Sequence, residues 1–301
     1  MSHDHSHHAH SHSGGKTSGR AFLIATAINL SLVVLESVFG FLSHSVALLA
    51  DAAHNFGDVF GLLLAWGAST LAQRRATDRR TYGMRRSSIL AALLNSLLLL
   101  VATGAIAWEA IRRFGEPVPV ASRTVMWIAA IGAIVNLGSS LPFLAGRKSD
   151  LNVRAAFFHL IGDAAFSFAV VISGGIMLWT GWTWLDPAMS LVLSVAILIG
   201  TWRLLRGSID LSLDAVPEAI DPAEVSAYLS ALPGVTGMHH LHIWPLSTTE
   251  TALTAHLVMP VPSERPNFLA EIADDLFHKF QIGHSTLQIE PVGHGEECAN
   301  C

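Results

Sequence analysis

The sequence predicts a membrane protein of two parts: an all-α domain of six membrane-spanning helices, then a small α+β domain with the element order αββαβ. Three observations carry this. Hydrophobic residues make up 51% of the 301-residue chain and charged residues only 14%, against about 25% charged in an average soluble protein. The apolar residues between Ala21 and Leu205 are gathered into long runs, each close to the roughly 20 residues that a helix needs to cross a bilayer. From about Ser208 the pattern changes to short helical and alternating stretches of soluble length. The net charge of −5 gives no footing for nucleic-acid binding.

The apolar runs fall at about 21–42, 46–70, 87–111, 123–145, 154–179 and 186–206. Only Ser43-His44-Ser45 separates the first from the second, and Trp182 and Trp184 near the start of the sixth suit a membrane–water interface. Arg74, Arg75, Arg79, Arg80, Arg85 and Arg86 follow the second run, Arg147, Lys148 and Arg154 lie between the fourth and fifth, and Arg203 and Arg206 end the sixth. With six spans these all share one side, which the positive-inside rule makes cytoplasmic, so both termini are expected in the cytoplasm. Arg112, Arg113 and Arg123 fall on the opposite side and are outnumbered. The start of the chain lacks the order of a cleaved signal peptide. Residues 1–20 are a polar tail in which His3, His5, His7, His8, His10 and His12 alternate with Ser, Asp and Ala; such a composition cannot bury a core and suits loose metal capture. The expected layout is a tail at 1–20, the membrane domain at 21–207, the cytoplasmic domain at 208–292 and a second tail at 293–301.

In the cytoplasmic part, Asp221-Pro222 reads as a helix cap followed by proline at the first helical position. Val225, Leu229 and Leu232 continue it at helical spacing. Residues 235–244 and 249–259 read as strands, with Leu253, Ala255, Leu257 and Met259 on one face. Leu269, Ile272, Leu276 and Phe280 mark a second helix, with Gly283 as its expected stop, and 285–290 alternate as a third strand.

Chemistry concentrates in a motif that occurs twice inside apolar runs: His54 with Asp58, and His159 with Asp163. Residues four apart lie on one helix face, with Cβ atoms about 5–6 Å apart. The second and fifth runs are antiparallel, so packing them together sets His54 level with Asp163 and Asp58 level with His159. An aspartate at the membrane centre costs at least about 2.5–3.5 kcal/mol on insertion scales and is functional by default. Two imidazoles and two carboxylates complete a tetrahedral Zn²⁺ shell and cancel its charge. An all-oxygen site would suit Mg²⁺ or Ca²⁺, and a thiolate site Cu⁺; among competitors for a mixed N/O set are Cd²⁺ and Co²⁺. Such a closed shell leaves no open position for an activated water, which argues against an intramembrane metalloenzyme. Metal binding displaces protons from the ligands, so the set suits export of metal driven by proton entry. A membrane-tethered metal buffer is the alternative. Asp51, three residues before His54, is read as an outer acceptor or a proton site; Glu36 is read as a bond to a neighbouring helix or as part of the ion path. Asn29, Asn95 and Asn136 are read as contacts between helices.

In the cytoplasmic domain, His239, His256 and Glu290 fall one on each expected strand. His240, His242 and His278 are read as ordinary surface or core histidines. Cys298 and Cys301, the only two cysteines, have metal-site spacing.

Several stretches together give a resemblance. They are Ser45-Val46-Ala47-Leu48-Leu49-Ala50-Asp51-Ala52-Ala53-His54 through Asp58; Thr81-Tyr82-Gly83 with Ile89 to Asn95; Asn152-Val153-Arg154 leading to His159 and Asp163; and His242-Ile243-Trp244. After residue 20 the chain resembles the cation diffusion facilitator family, in its zinc-transporting subgroup. The resemblance implies a homodimer in the plasma membrane (the inner membrane of a bacterial cell) with a ferredoxin-like, metallochaperone-like cytoplasmic domain. It implies export of Zn²⁺ and related ions from the cytoplasm in exchange for protons, by alternating access, and no enzymatic activity. On this resemblance His54, Asp58, His159 and Asp163 match the transport site, with histidine at position 54 going with zinc selectivity. His239, His256 and Glu290 match positions that bind regulatory zinc. Gln288 stands where some members have a histidine, which weighs against a two-metal cluster. Cys298 and Cys301 resemble a pair used for a second ion. The link between the second and third spans, with Asp78, arginines and Met84 in place of histidines, is expected to hold no metal.

Overall fold

The computed structural model describes residues 17–144, 151–261 and 266–291. Six long helices come first: α1 (Thr17–Leu42), α2 (Val46–Ala72), α3 (Ser87–Gly115), α4 (Ser122–Ser140, extended by a 3-10 turn at Leu141–Phe143), α5 (Leu151–Thr180) and α6 (Leu185–Ser212). By length and composition α2 to α6 can each cross a membrane, and α1 contributes the shorter apolar stretch Ala27–Leu42. By compactness the chain divides into two units, Met1–Val59 with Val101–Leu198 and Phe60–Leu100 with Ile199–Cys301.

In the first unit, polarity runs inside out relative to a soluble protein. Val101, Ile134 and Trp179 are 70%, 70% and 92% exposed, whereas Glu36, Asp51, Asn136 and Ser167 are buried. Lipid accepts the first group, and the second must be satisfied by other helices. Val125, Ile128 and Ala129 of α4 pack with Val170 of α5 and with Ala47 and Leu48 of α2. Gly174 permits a close approach of α5 to α4, since a Cβ there would stand 3.1 Å from the Cβ of Met126. The start of α2 is capped from far along the chain. Leu48 N donates to Ser45 Oγ at 3.1 Å, Val46 N donates to Asp186 Oδ2 at 2.7 Å, and Ser45 Oγ donates to the same carboxylate. These contacts satisfy amides that a helix start leaves unpaired. Arg113, one of the basic residues on the minority side, bonds Glu109 at 3.0 Å and the His44 carbonyl.

The cytoplasmic part, in the second unit, runs α7 (Pro222–Ser230), β1 (Gly237–Pro245), β2 (Thr251–Val258), α8 (Phe268–Phe280) and β3 (Ile282–Glu290). Asp221 caps α7 by accepting from Ala223 N, with Pro222 at the first position. The sheet order is β1-β2-β3; β1 pairs antiparallel with β2, and β3 returns parallel to β2 after α8. Leu253, Ala255 and Leu257 on one face of β2, with Met259 just after it, are buried against Val225 and Leu229 of α7 and Ile272 and Leu276 of α8.

Two local features depart from the sequence reading. Gly283 does not stop α8. The helix ends at Phe280, and Gln281 takes the left-handed conformation, φ 58°, while Gly283 is already in β3. The amides of Gln281 close on the carbonyls of the last turn, so the turn is made two residues earlier and the strand starts at Ile282 instead of 285. The second feature is a bulge in β1. His239 pairs with His256 and His242 with Thr254, three steps on one strand against two on the other. His240, inside the bulge, is left-handed with φ 52°.

Candidate functional site

α2 and α5 bring the two His-x-x-x-Asp pairs together. His54 Nε2 lies 3.3 Å from Asp163 Oδ1, and His159 Nε2 lies 3.0 Å from Asp58 Oδ2. Within each helix the separations are 3.8 Å for His54 to Asp58 and 3.6 Å for His159 to Asp163. One ligand atom from each of the four residues lies within 4.8 Å of every other. The two imidazoles meet edge to face, with ring centres 5.7 Å apart. Four ligands at 2.0–2.2 Å from a tetrahedral metal stand about 3.3–3.6 Å apart, so the set needs only small side-chain adjustments to close on an ion. Asp163 and His54 form its enclosed side, and Asp58 and His159 its open side, with side-chain exposures of 10% and 17% against 40% and 48%.

Glu36 and Asp51 lie apart from that set. Asn55 Nδ2 donates to Glu36 Oε2 at 3.1 Å, and Ser167 Oγ donates to Asp51 Oδ2 at 3.0 Å. Both carboxyls are buried, and among the described residues Glu36 Oε1 and Asp51 Oδ1 have no hydrogen-bond partner. Gly132 gives Glu36 room: a Cβ there would be 2.8 Å from Glu36 Oε1. Asn55 carries no signal in the sequence, since an asparagine beside a candidate ligand has no periodic signature. Its two-sided position, next to His54 and bonded to Glu36, is visible only in three dimensions.

A second cluster stands on the exposed face of the cytoplasmic sheet. His239 Nε2 is 3.2 Å from Glu290 Oε2 and His256 Nδ1 is 2.7 Å from Glu290 Oε1. His240 joins them: its Nδ1 is 2.9 Å from that of His239, its ring centre lies 4.9 Å from that of His256, and the three histidines form a group able to hold a metal. Sequence reasoning missed His240, because adjacent strand residues point to opposite faces; the bulge cancels that rule. Gln288 Nε2 donates to Glu290 Oε1 at 2.8 Å. Burial works against it, but His256 and His239 hold the Glu290 carboxyl below the usual carboxylate range. Partial burial, then His256, His239 and His242, hold the His240 imidazole below the usual histidine range. His284 meets Tyr82 edge to face, and His278 pairs with Asp274 on the surface. Cys298, Cys301, His294 and the histidines of the N-terminal tail lie outside the described residues.

The chain is similar to cation efflux proteins along nearly its whole length. Residues 22–211 match the family model of the cation efflux transmembrane domain, and residues 217–292 that of the cation efflux protein cytoplasmic domain. The zinc transporter ZitB of Escherichia coli is 37% identical over 99% of this chain and 96% of its own length. The metal cation efflux system protein CzcD of Cupriavidus metallidurans is 36% identical over 94% of this chain and 89% of its own. A cadmium, cobalt and zinc/H(+)-K(+) antiporter of Bacillus subtilis is 33% identical over 93% of this chain and 91% of its own. The chain is an integral membrane protein of the cation efflux family of transporters, the cation diffusion facilitators its motifs resemble.

Proposed function

We propose that the chain exports Zn²⁺ from the cytoplasm in exchange for protons, and that His54, Asp58, His159 and Asp163 carry the ion. The observation behind this is the four-residue set on α2 and α5, whose ligand atoms lie within 4.8 Å of one another. Neutral imidazoles bind through Nε2 and the two carboxylates balance the ion's charge, so a loaded site is formally neutral. Binding requires the ligands to give up protons. A site that faces one side and then the other couples metal release to proton capture, which is alternating access in its simplest form. The mixed N/O donors favour Zn²⁺ and accept Cd²⁺ or Co²⁺. Four protein ligands leave no position for a reactive water, which supports transport without catalysis.

The names of the relatives support the same ions and proton coupling. The basic residues at Arg74 to Arg86 support cytoplasmic termini and, in a bacterial cell, residence in the inner membrane. In the same reading the chain is a homodimer, and the four-part layout stays as drawn from the sequence. The cytoplasmic cluster fits a resident Zn²⁺. Glu290 supplies the buried carboxylate and His239, His240 and His256 the nitrogen donors, ligand types that bind Zn²⁺.

Zn²⁺ flux into proteoliposomes under an imposed pH gradient tests the proposal. Wild-type flux should depend on the gradient, and Asp163→Ala should abolish it. Equal flux in both proteins would sink the assignment of the site.

A further inference from the structure

The second unit holds a cavity of about 920 Å³. Its mouth carries Arg74, Arg75 and Arg85, against Glu250 as its one acidic residue. Arg85 pairs with Glu250 at 2.9 Å. Arg74 and Arg75 are exposed, and neither guanidinium has a carboxylate partner among the described residues. These arginines flank the last residue of α2, Ala72, and the first of α3, Ser87, so they stand where spanning helices meet the water. Below them the cavity continues between helices along small side chains. Gly61, Ala65 and Ser69 are spaced by four on α2 and face Ala91 and Asn95 of α3.

The cavity is built and held. Gly83, with φ +69°, turns the α2–α3 connection so tightly that a Cβ would be 3.1 Å from the Arg74 carbonyl. Tyr82 meets His284 of β3 edge to face with ring centres 5.6 Å apart, and Ser88 Oγ accepts from Thr248 N at 3.1 Å. An arginine-lined mouth disfavours a divalent cation and favours an anion. It offers positive charge at the membrane boundary and a mostly apolar groove of small side chains beneath it, the complement of a molecule with an anionic head and a hydrocarbon tail.

We propose that this cavity binds an anionic phospholipid, with the phosphate held by Arg74 and Arg75 and an acyl chain in the groove beside Ala65. Basic pockets at this depth recognise such head groups.

The test uses the full chain in detergent, titrated with phosphatidylglycerol, phosphatidylcholine or inorganic phosphate, with bound lipid read by native mass spectrometry. Phosphatidylglycerol should bind in preference to phosphatidylcholine. Arg74→Gln with Arg75→Gln should weaken it about thirtyfold. Ala65→Leu, which fills the groove and leaves the arginines alone, should weaken it as well. Arg79→Gln with Arg80→Gln removes equal charge outside the cavity and should leave binding near wild type. Equal loss in that control, or equal binding of the two lipids, would overturn the proposal in favour of diffuse surface charge. Competition by inorganic phosphate at millimolar concentration, with no effect of Ala65→Leu, would overturn it in favour of a soluble anion.

Discussion

Asp163 is the most enclosed of the four intramembrane groups and faces His54, so the most enclosed half of the site is a nitrogen and an oxygen from different helices. Exchanging that nitrogen for oxygen hardens the donor set. In His54→Asp, transport of Mn²⁺ relative to Zn²⁺ should rise, as read by competition flux in proteoliposomes; unchanged selectivity would remove His54 from the coordination set. In the cytoplasmic cluster, His240 is held in a left-handed conformation that costs a residue other than glycine about 1–2 kcal/mol. His240→Gly removes imidazole and strain together. Fold stability should hold or rise, while Zn²⁺ affinity of the cluster should fall by at least about tenfold; calorimetric titration and thermal melting separate the two. His240 and Glu290 are both depressed below their ordinary ranges. Their contribution to folding is therefore present above those ranges and is lost as pH falls through them, where the unfolded chain binds more protons. The intramembrane pairs could be read in the sequence because spacing by four on a helix fixes a shared face whatever else the chain does. His240 could not, since its orientation depends on one extra residue in a strand, which leaves no mark in the pattern.

At the scale of elements, the end of α8 shows what sequence patterns convey and where they stop. Periodicity locates the helix, but the turn after it goes to whichever residue closes the last carbonyls. Gln281 does so at φ 58°, although Gly283 is the residue suited to that geometry. Gln281→Gly should therefore stabilise the cytoplasmic domain by about 0.5–1 kcal/mol, less what is lost with its side-chain bond to the Phe277 carbonyl at 3.2 Å. Denaturant unfolding of the solubilised chain would measure this, and destabilisation would mean that the side-chain bond outweighs the backbone strain. Elsewhere the local chemistry was sufficient: Asp221 and Pro222 announce α7, and alternation announces the buried face of β2. Some spans run a few residues past their apolar runs, for instance α3 to Gly115, because a helix continues into the interface until its backbone finds other partners, whereas α4 ends at Ser140.

At the scale of the molecule, the two candidate metal sites lie in different compact units, the intramembrane set in the first and the histidine cluster in the second. Binding at each stabilises its own unit, by about 2.7 kcal/mol at a hundredfold excess over Kd. Adding Zn²⁺ should raise thermal stability in wild type. His256→Ala should keep part of the rise and Asp58→Ala with Asp163→Ala the other part, and only the combined variant should show none. A rise that vanishes in either variant alone would mean the sites act as one.

The capping of α2 by Asp186 has a consequence for how the chain is made. The carboxylate that receives Val46 N is encoded 140 residues later. At roughly 5–20 residues per second, α2 waits about 7–28 s on the ribosome for its cap. During that interval the Val46 amide, at the start of one of the two helices bearing the His-x-x-x-Asp pairs, lacks its carboxylate acceptor. The order of synthesis thus leaves the start of α2 open until α6 emerges, and a chain that stalls before Asp186 would present that unsealed end to the proteases that clear unfinished membrane proteins.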